Sequence, residues 1–145
     1  MTGSIDSLFF LSPIKLGYIV HLHSMVTYTT KSTIEEIKKK DMIGNARSAG
    51  GYLNKRLHEL QDKYDNIGDV RGLGLMQAID FVKNRKTKAH YRGLRDKTIE
   101  NAYKKGLILL GAGESAIRFI PPLIINEKQI DEAMDILDES IKKSL

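Results

Sequence analysis

The sequence predicts an α+β domain in which a small antiparallel sheet packs against helices. Two observations carry that prediction. Helix-like and strand-like segments follow one another as helix, helix, strand, helix, strand, strand, helix, and the two adjacent strands are near enough to form a hairpin, which favours an α+β layer over a doubly wound sheet. The size agrees: 145 residues, 41% hydrophobic and 28% charged, suit one domain around a single core.

Residues 1–31 form no clear unit and are set apart from the domain expected over 32–145. They mix the apolar patch Leu8-Phe9-Phe10-Leu11 with Pro13, Gly17, His21, His23 and the run Thr27-Tyr28-Thr29-Thr30, without a consistent period. Order begins near Ser32. Ser32 or Thr33 caps a helix whose first turn carries Glu35 and Glu36, acids that meet the positive end of the helix dipole. Asp41 reads as a second N-cap. Behind it Met42, Ile43, Ala46, Ala49, Leu53, Leu57, Leu60 and Tyr64 recur every three or four residues, the stripe of a long amphipathic helix that Gly50-Gly51 weakens.

Asp65-Asn66 and Gly68 end that helix, and Val70 to Val82 reads as one strand with glycines where another backbone or a bend comes close. Lys83 to Lys88 is a polar basic loop. A helix follows from about Tyr91 to Lys105, with Leu94, Ile99, Ala102 and Tyr103 apolar and Gly106 as its stop. Leu107 to Leu110 is a short strand, Gly111 to Ser115 a turn, and Ala116 to Ile120 a strand stopped by Pro121-Pro122. The last helix is the best marked. Asn126 caps it with Gln129 three residues on, and Ile130, Ala133, Met134, Leu137, Ile141 and Leu145 form its stripe.

Composition narrows the chemistry. With no cysteine, the chain has no disulfide, thiolate metal ligand or thiol nucleophile, which accords with a cytoplasmic location. The net charge of +5 is spread among acids, as in Glu35-Glu36-Ile37-Lys38-Lys39-Lys40-Asp41, so it reads as solvated helix faces. No apolar run reaches the roughly 20 residues a membrane span needs. Nor do Met1 to Ser7 supply the basic start of a signal peptide, so no membrane partner is expected.

Arg118 is the candidate site residue. It stands mid-strand among apolar neighbours in Ala116-Ile117-Arg118-Phe119-Ile120-Pro121-Pro122-Leu123, where a guanidinium needs a carboxylate if buried. Two readings remain open on residue chemistry: a carboxylate ligand, or an arginine on the exposed face of a strand. Gly72 and Gly74 lack the third glycine of a dinucleotide fingerprint. Gly111-Ala112-Gly113 reads as a hairpin turn before it reads as an anion cradle. His21 and His23 have no third ligand nearby, so no metal is expected. A Ser/His/Asp set is compatible with the composition, but no serine sits in a G-x-S-x-G elbow. Lys83, Arg85, Lys86, Lys88, Arg92 and Arg95 form a basic stretch with only Tyr91 interleaved, which leaves a nucleic-acid-binding module as a reading from another class.

Three blocks, in order, resemble the small domain of the class III pyridoxal-phosphate aminotransferases, the group of 4-aminobutyrate and acetylornithine aminotransferases. They are Ile67-Gly68-Asp69-Val70-Arg71-Gly72-Leu73-Gly74-Leu75-Met76, then Gly106 to Leu110 with Ile117-Arg118-Phe119-Ile120-Pro121-Pro122-Leu123, then Ile130-Asp131-Glu132-Ala133 with Ile136-Leu137. The resemblance covers about Thr33 to Leu145. It implies the C-terminal domain of a fold-type I enzyme that works as a dimer and moves an amino group between an amino acid and a 2-oxo acid. It also implies that Arg118 binds the substrate carboxylate in the intact enzyme.

Nothing in the chain corresponds to the family's Schiff-base lysine motif or its pyridinium aspartate. The resemblance therefore implies a part that has no catalytic residue of its own and does not hold pyridoxal phosphate alone. Such a part is expected to be inactive, or to be one half of a split enzyme completed by a large-domain partner. Before Thr33, His21 to Thr29 replace the segment that contacts the cofactor phosphate, so no threonine is assigned there. A truncated or frame-shifted gene would produce that pattern.

Overall fold

A computed structural model describes residues 32–145; the expectations for residues 1–31, including His21, His23 and the strand-like run at Thr27, lie outside the described residues. The chain divides after Asp41 into two units. In the first, helix α1 (32–39) is described, with Lys40 pairing back to Glu36 at 3.1 Å. Asp41, expected as an N-cap, takes a positive φ of 44°, a turn conformation and not the extended one that caps adopt.

The second unit runs from Met42 to Leu145. Its elements are helix α2 (Met42–Lys63), strands β1 (Ile67–Leu73) and β2 (Met76–Phe81), helix α3 (Arg92–Lys104), strands β3 (Leu110–Ala112) and β4 (Ala116–Phe119), and helix α4 (Glu127–Ser144). The four strands form one antiparallel sheet in the order β1-β2-β4-β3. The α+β class is as the sequence predicts.

Two element assignments change. Val70 to Val82 is not one strand: the chain reverses at Gly74-Leu75, and β1 and β2 pair as a hairpin with Leu73 opposite Met76. Gly74 sits at φ 54°, where a side chain is unfavourable, so the glycine that looked like a bend is the turn itself. The other change is local. Leu107 to Leu109 is irregular, and β3 starts at Leu110 and takes in Gly111 and Ala112, which the sequence placed in the turn.

Gly50 also has a structural reason. Its backbone lies against that same turn, and a Cβ added there would land on the Gly74 carbonyl carbon. The helix gives up propensity at Gly50 so that the hairpin can pack close. Beside this contact Asn54 of α2 donates to Gln77 Oε1 at 3.0 Å, and Gln77 donates to the Gly74 carbonyl at 2.7 Å.

The core lies between the three helices and one face of the sheet. Leu53, Leu57 and Leu60 of α2, Ile79 and Phe81 of β2, Leu94 of α3, Ile117 and Phe119 of β4, and Ile130, Met134, Leu137 and Ile141 of α4 are buried in it. The stripes read from the sequence match, except at Ile43, Tyr103 and Leu145, which are exposed. Helix α3 closes as expected at Gly106, where the N–H groups of Gly106 and Leu107 bond the Tyr103 and Ala102 carbonyls. Helix α4 starts on a complete capping box between Asn126 and Gln129.

Candidate carboxylate site

The sheet has two unlike faces. Residues opposite one another in an antiparallel pair point to the same side. Val70, Gln77, Ile79, Phe81, Ile117 and Phe119 turn toward the helices; Asp69, Arg71, Leu73, Met76, Ala78, Asp80, Ala116, Arg118, Leu110 and Ala112 share the other side. On that second face Leu73 is 86% exposed, Leu110 60% and Met76 58%, so three large apolar residues meet solvent in one sheet. A face of this kind is unusual for a domain complete in itself.

Arg118 stands in the middle of this face, between Ala78 of β2 and Leu110 of β3. It is exposed, and among the described residues it has neither an ion pair nor a side-chain hydrogen bond. Both of its cross-strand neighbours, Ala78 and Leu110, are apolar. The arginine is thus on the exposed face of the strand, and no described residue pairs with it. Its surroundings add a third fact that the sequence did not show. Among the described residues, Arg118 is the sole charged residue of the strand end that borders a cavity of about 320 Å³, whose walls Leu53, Phe119, Ile130 and Met134 stand on the helix side of the sheet, opposite the face that Arg118 shares.

Arg56, Arg71, Arg85, Arg92 and Arg95 are engaged, while Arg47 of α2, like Arg118, is exposed with no ion pair or side-chain hydrogen bond among the described residues. Arg71 pairs with Asp69 at 2.5 Å, and Arg92 with Asp96 at 3.6 Å. Arg85 folds back on the end of α2, donating to the Gln61 and Tyr64 carbonyls. Arg95 is buried beside Gly111, its Nε 2.6 Å from Asp96. The basic stretch therefore does not present its arginines as a phosphate-binding surface; Lys83, Lys86 and Lys88 remain exposed.

A serine, a histidine and an aspartate do come together, from Ser115, His90 and Asp80. The Ser115 hydroxyl donates to Asp80 Oδ1 at 2.6 Å and accepts from His90 Nδ1 at 2.9 Å. That order is wrong for nucleophilic attack, which needs the imidazole to take the serine proton. Ser115 is also buried, so the cluster ties β2 and β4 to the loop at His90. His58 bonds the Asn54 carbonyl on its own helix at 2.9 Å. No group of three potential metal ligands occurs among the described residues.

Residues 25–141 match the family model for class-III aminotransferases. The chain belongs to the class III aminotransferases. It is 35% identical over 131 residues to the leucine/methionine racemase of Thermococcus litoralis, covering 90% of this chain and 30% of that protein. It is 34% identical to the acetylornithine aminotransferase of Clostridium acetobutylicum, covering 74% and 25%. The structure superposes on a transaminase from the marine bacterium Virgibacillus with a TM-score of 0.79 at 27% identity, over 84% of this chain and 29% of that one. The chain thus spans under a third of the length of the curated relatives it matches.

Class III aminotransferases depend on pyridoxal phosphate. The described residues of this aminotransferase chain do not fit the cofactor's covalent seat. A lysine that joins a carbonyl must reach its neutral form, which enclosure in an apolar or cationic site promotes. Every described lysine is exposed. Lys63 shows the opposite tuning: hydrogen bonds to Asp138 at 2.6 and 2.7 Å raise its ammonium above the ordinary lysine value and keep it charged.

Proposed function

We propose that this chain is the small-domain part of a pyridoxal-phosphate aminotransferase, with Arg118 receiving the carboxylate of the amino acid or 2-oxo acid. The observation that carries the reading is an exposed guanidinium, free of any partner among the described residues, set between the apolar cross-strand neighbours Ala78 and Leu110. A bidentate arginine–carboxylate pair fixes both the position and the plane of the substrate. The cofactor supplies the electron sink for amino transfer when bound elsewhere in the assembled enzyme.

By itself the chain does not transaminate, because no described lysine is placed to hold the cofactor. The exposed Leu73, Met76 and Leu110 share the sheet face of Arg118 and form the surface a large-domain partner would cover. That partner is a separate chain of a split enzyme or the remainder of a longer protein, in a dimer located in the cytoplasm.

The test is titration of the purified chain with pyridoxal phosphate, then borohydride reduction and peptide mapping. Labelling spread over many surface lysines is expected. Stoichiometric labelling of one lysine would place a cofactor seat in this chain and overturn the reading. The complementary experiment mixes the chain with a class III large domain and follows amino transfer; activity only in the mixture supports the split-enzyme form.

Amino-acid racemisation is a second reading, favoured by the 35% identity to a leucine/methionine racemase. Amino transfer and racemisation both need the substrate carboxylate held while the Cα proton is removed, so Arg118 serves either. Chiral chromatography of the active assembly separates them: a racemase scrambles a single enantiomer without any 2-oxo acid present.

A further inference from the structure

A groove runs along the first half of α2, against the turn of the β1–β2 hairpin. Ile43, Arg47, Gly51 and Asn54 follow one another at intervals of four, four and three residues, which puts them on one side of the helix. The turn Gly72-Leu73-Gly74, with Gln77 behind it, makes the other wall, and the open space between them is about 560 Å³. Gly50 joins the two walls through its contact with Gly74, whereas a Cβ at Gly51 would meet nothing within 4 Å. Bare helix backbone therefore forms the floor.

Two polar groups at this groove are left over. Arg47 is the one charged residue lining it, exposed and with neither ion pair nor hydrogen bond among the described residues. The other is fixed by a chain of donors and acceptors. The Gly74 carbonyl can only accept, so Gln77 turns Nε2 toward it at 2.7 Å and offers Oε1 to Asn54 Nδ2 at 3.0 Å. Asn54 Oδ1 ends the chain, and no described residue donates to it. Flipping either amide would set like groups against each other, so this free acceptor is a set feature of the groove.

Between the cation and the acceptor the rims are apolar, since Ile43 and Leu73 are both exposed. A flat apolar body laid on the Gly51 floor would remove both from water. Arg47 and Asn54 are seven residues apart, about 10 Å along the helix axis, and the arginine side chain is long enough to close part of that gap.

We propose that this groove binds flat anions with a hydrogen-bond donor at the far end, of which hydroxy- and amino-substituted aromatic carboxylates are the simplest. The carboxylate pairs with Arg47, the ring lies on the Gly51 floor between Ile43 and Leu73, and the distal O–H or N–H donates to Asn54 Oδ1.

4-Hydroxybenzoate, 4-methoxybenzoate and phenol are titrated into the full chain at low salt, with binding followed by amide NMR shifts. 4-Hydroxybenzoate should bind most tightly and shift the amides of Arg47, Gly51, Asn54 and Gly74. Methylating its hydroxyl should weaken binding about fivefold, as loss of one neutral hydrogen bond does, and removing its carboxylate about tenfold. Arg47→Gln should weaken 4-hydroxybenzoate about tenfold and leave phenol unchanged, while Arg118→Gln should change neither. Gly51→Leu, at an exposed helical position where leucine is favourable, should abolish binding of all three with the amide spectrum elsewhere intact.

Binding that survives Gly51→Leu, or that Arg118→Gln weakens while Arg47→Gln does not, overturns the site. Equal affinity for the hydroxy and methoxy ligands overturns the donor requirement and the role of Asn54. Absence of shifts at these four amides with every probe at tens of millimolar overturns the proposal as a whole.

Discussion

At the scale of single residues, neighbouring positions separate by what surrounds them. Gly50 and Gly51 look alike in sequence, yet Gly50 touches the hairpin turn while a Cβ at Gly51 would meet nothing within 4 Å. Gly50→Ala should therefore destabilise the domain by about 1–3 kcal/mol through overpacking. Gly51→Ala should stabilise it by about 0.5–1 kcal/mol through helix propensity. Urea unfolding of the two variants checks both, and equal effects would remove the close-approach argument. Arg118 has no partner among the described residues, so Arg118→Gln should leave the melting temperature unchanged. In an active assembly the same variant should raise KM for the carboxylate substrate about tenfold or more, as loss of a charge-assisted pair does. A fall in stability alone would instead mark Arg118 as structural.

At the scale of elements, α2 and α4 are stitched at two points one heptad apart on α4. Tyr52 and Arg56 both donate to Asp131, and Lys63 and Tyr64 both donate to Asp138. At Asp138, burial alone would raise the carboxyl, but the hydrogen bonds from Lys63 and Tyr64 outweigh it and hold the group below its usual value. A carboxyl lowered in the folded state stabilises the fold above the unfolded value, near 4, and that contribution disappears as pH falls through the lower folded value. Asp138→Asn should thus be less stable than the parent at pH 7, with the gap narrowing below about pH 4. Urea midpoints at pH 7 and pH 3 measure it; an undiminished gap at pH 3 would mean that charge is not what Asp138 contributes.

At the scale of the whole molecule, the uncovered sheet face dominates behaviour in solution. With Leu73, Met76 and Leu110 exposed on one side of the sheet, the isolated chain should self-associate as its concentration rises. Met76→Lys with Leu110→Lys should shift it toward monomer in sedimentation velocity without loss of helix or strand signal. Persistence of the same oligomer in that variant would move the contact elsewhere.

The helices were legible because each signal is local. The 3.6-residue stripe of α4, its Asn126–Gln129 box and the Gly106 stop depend on residues within a few positions of one another, and all three hold. The α+β class followed from their order. The hairpin inside Val70 to Val82 was not legible, since a continuous apolar run gives no period and Gly72 and Gly74 mark equally well a bend or a reversal.

Arg118 was legible as a residue and not as a site. Sequence put a cation in an apolar strand, and the family resemblance gave that cation a role. Only the tertiary structure decided that its side of the sheet is open, that nothing described pairs with it, and that residues from α2, the Leu107 to Leu110 segment and α4 wall a cavity on the opposite, helix side of the sheet. The division has a physical cause. Caps, stops and periodicity are written in contacts between near neighbours along the chain, whereas a cavity is made by residues as distant as Leu53 and Met134, whose meeting no local pattern records.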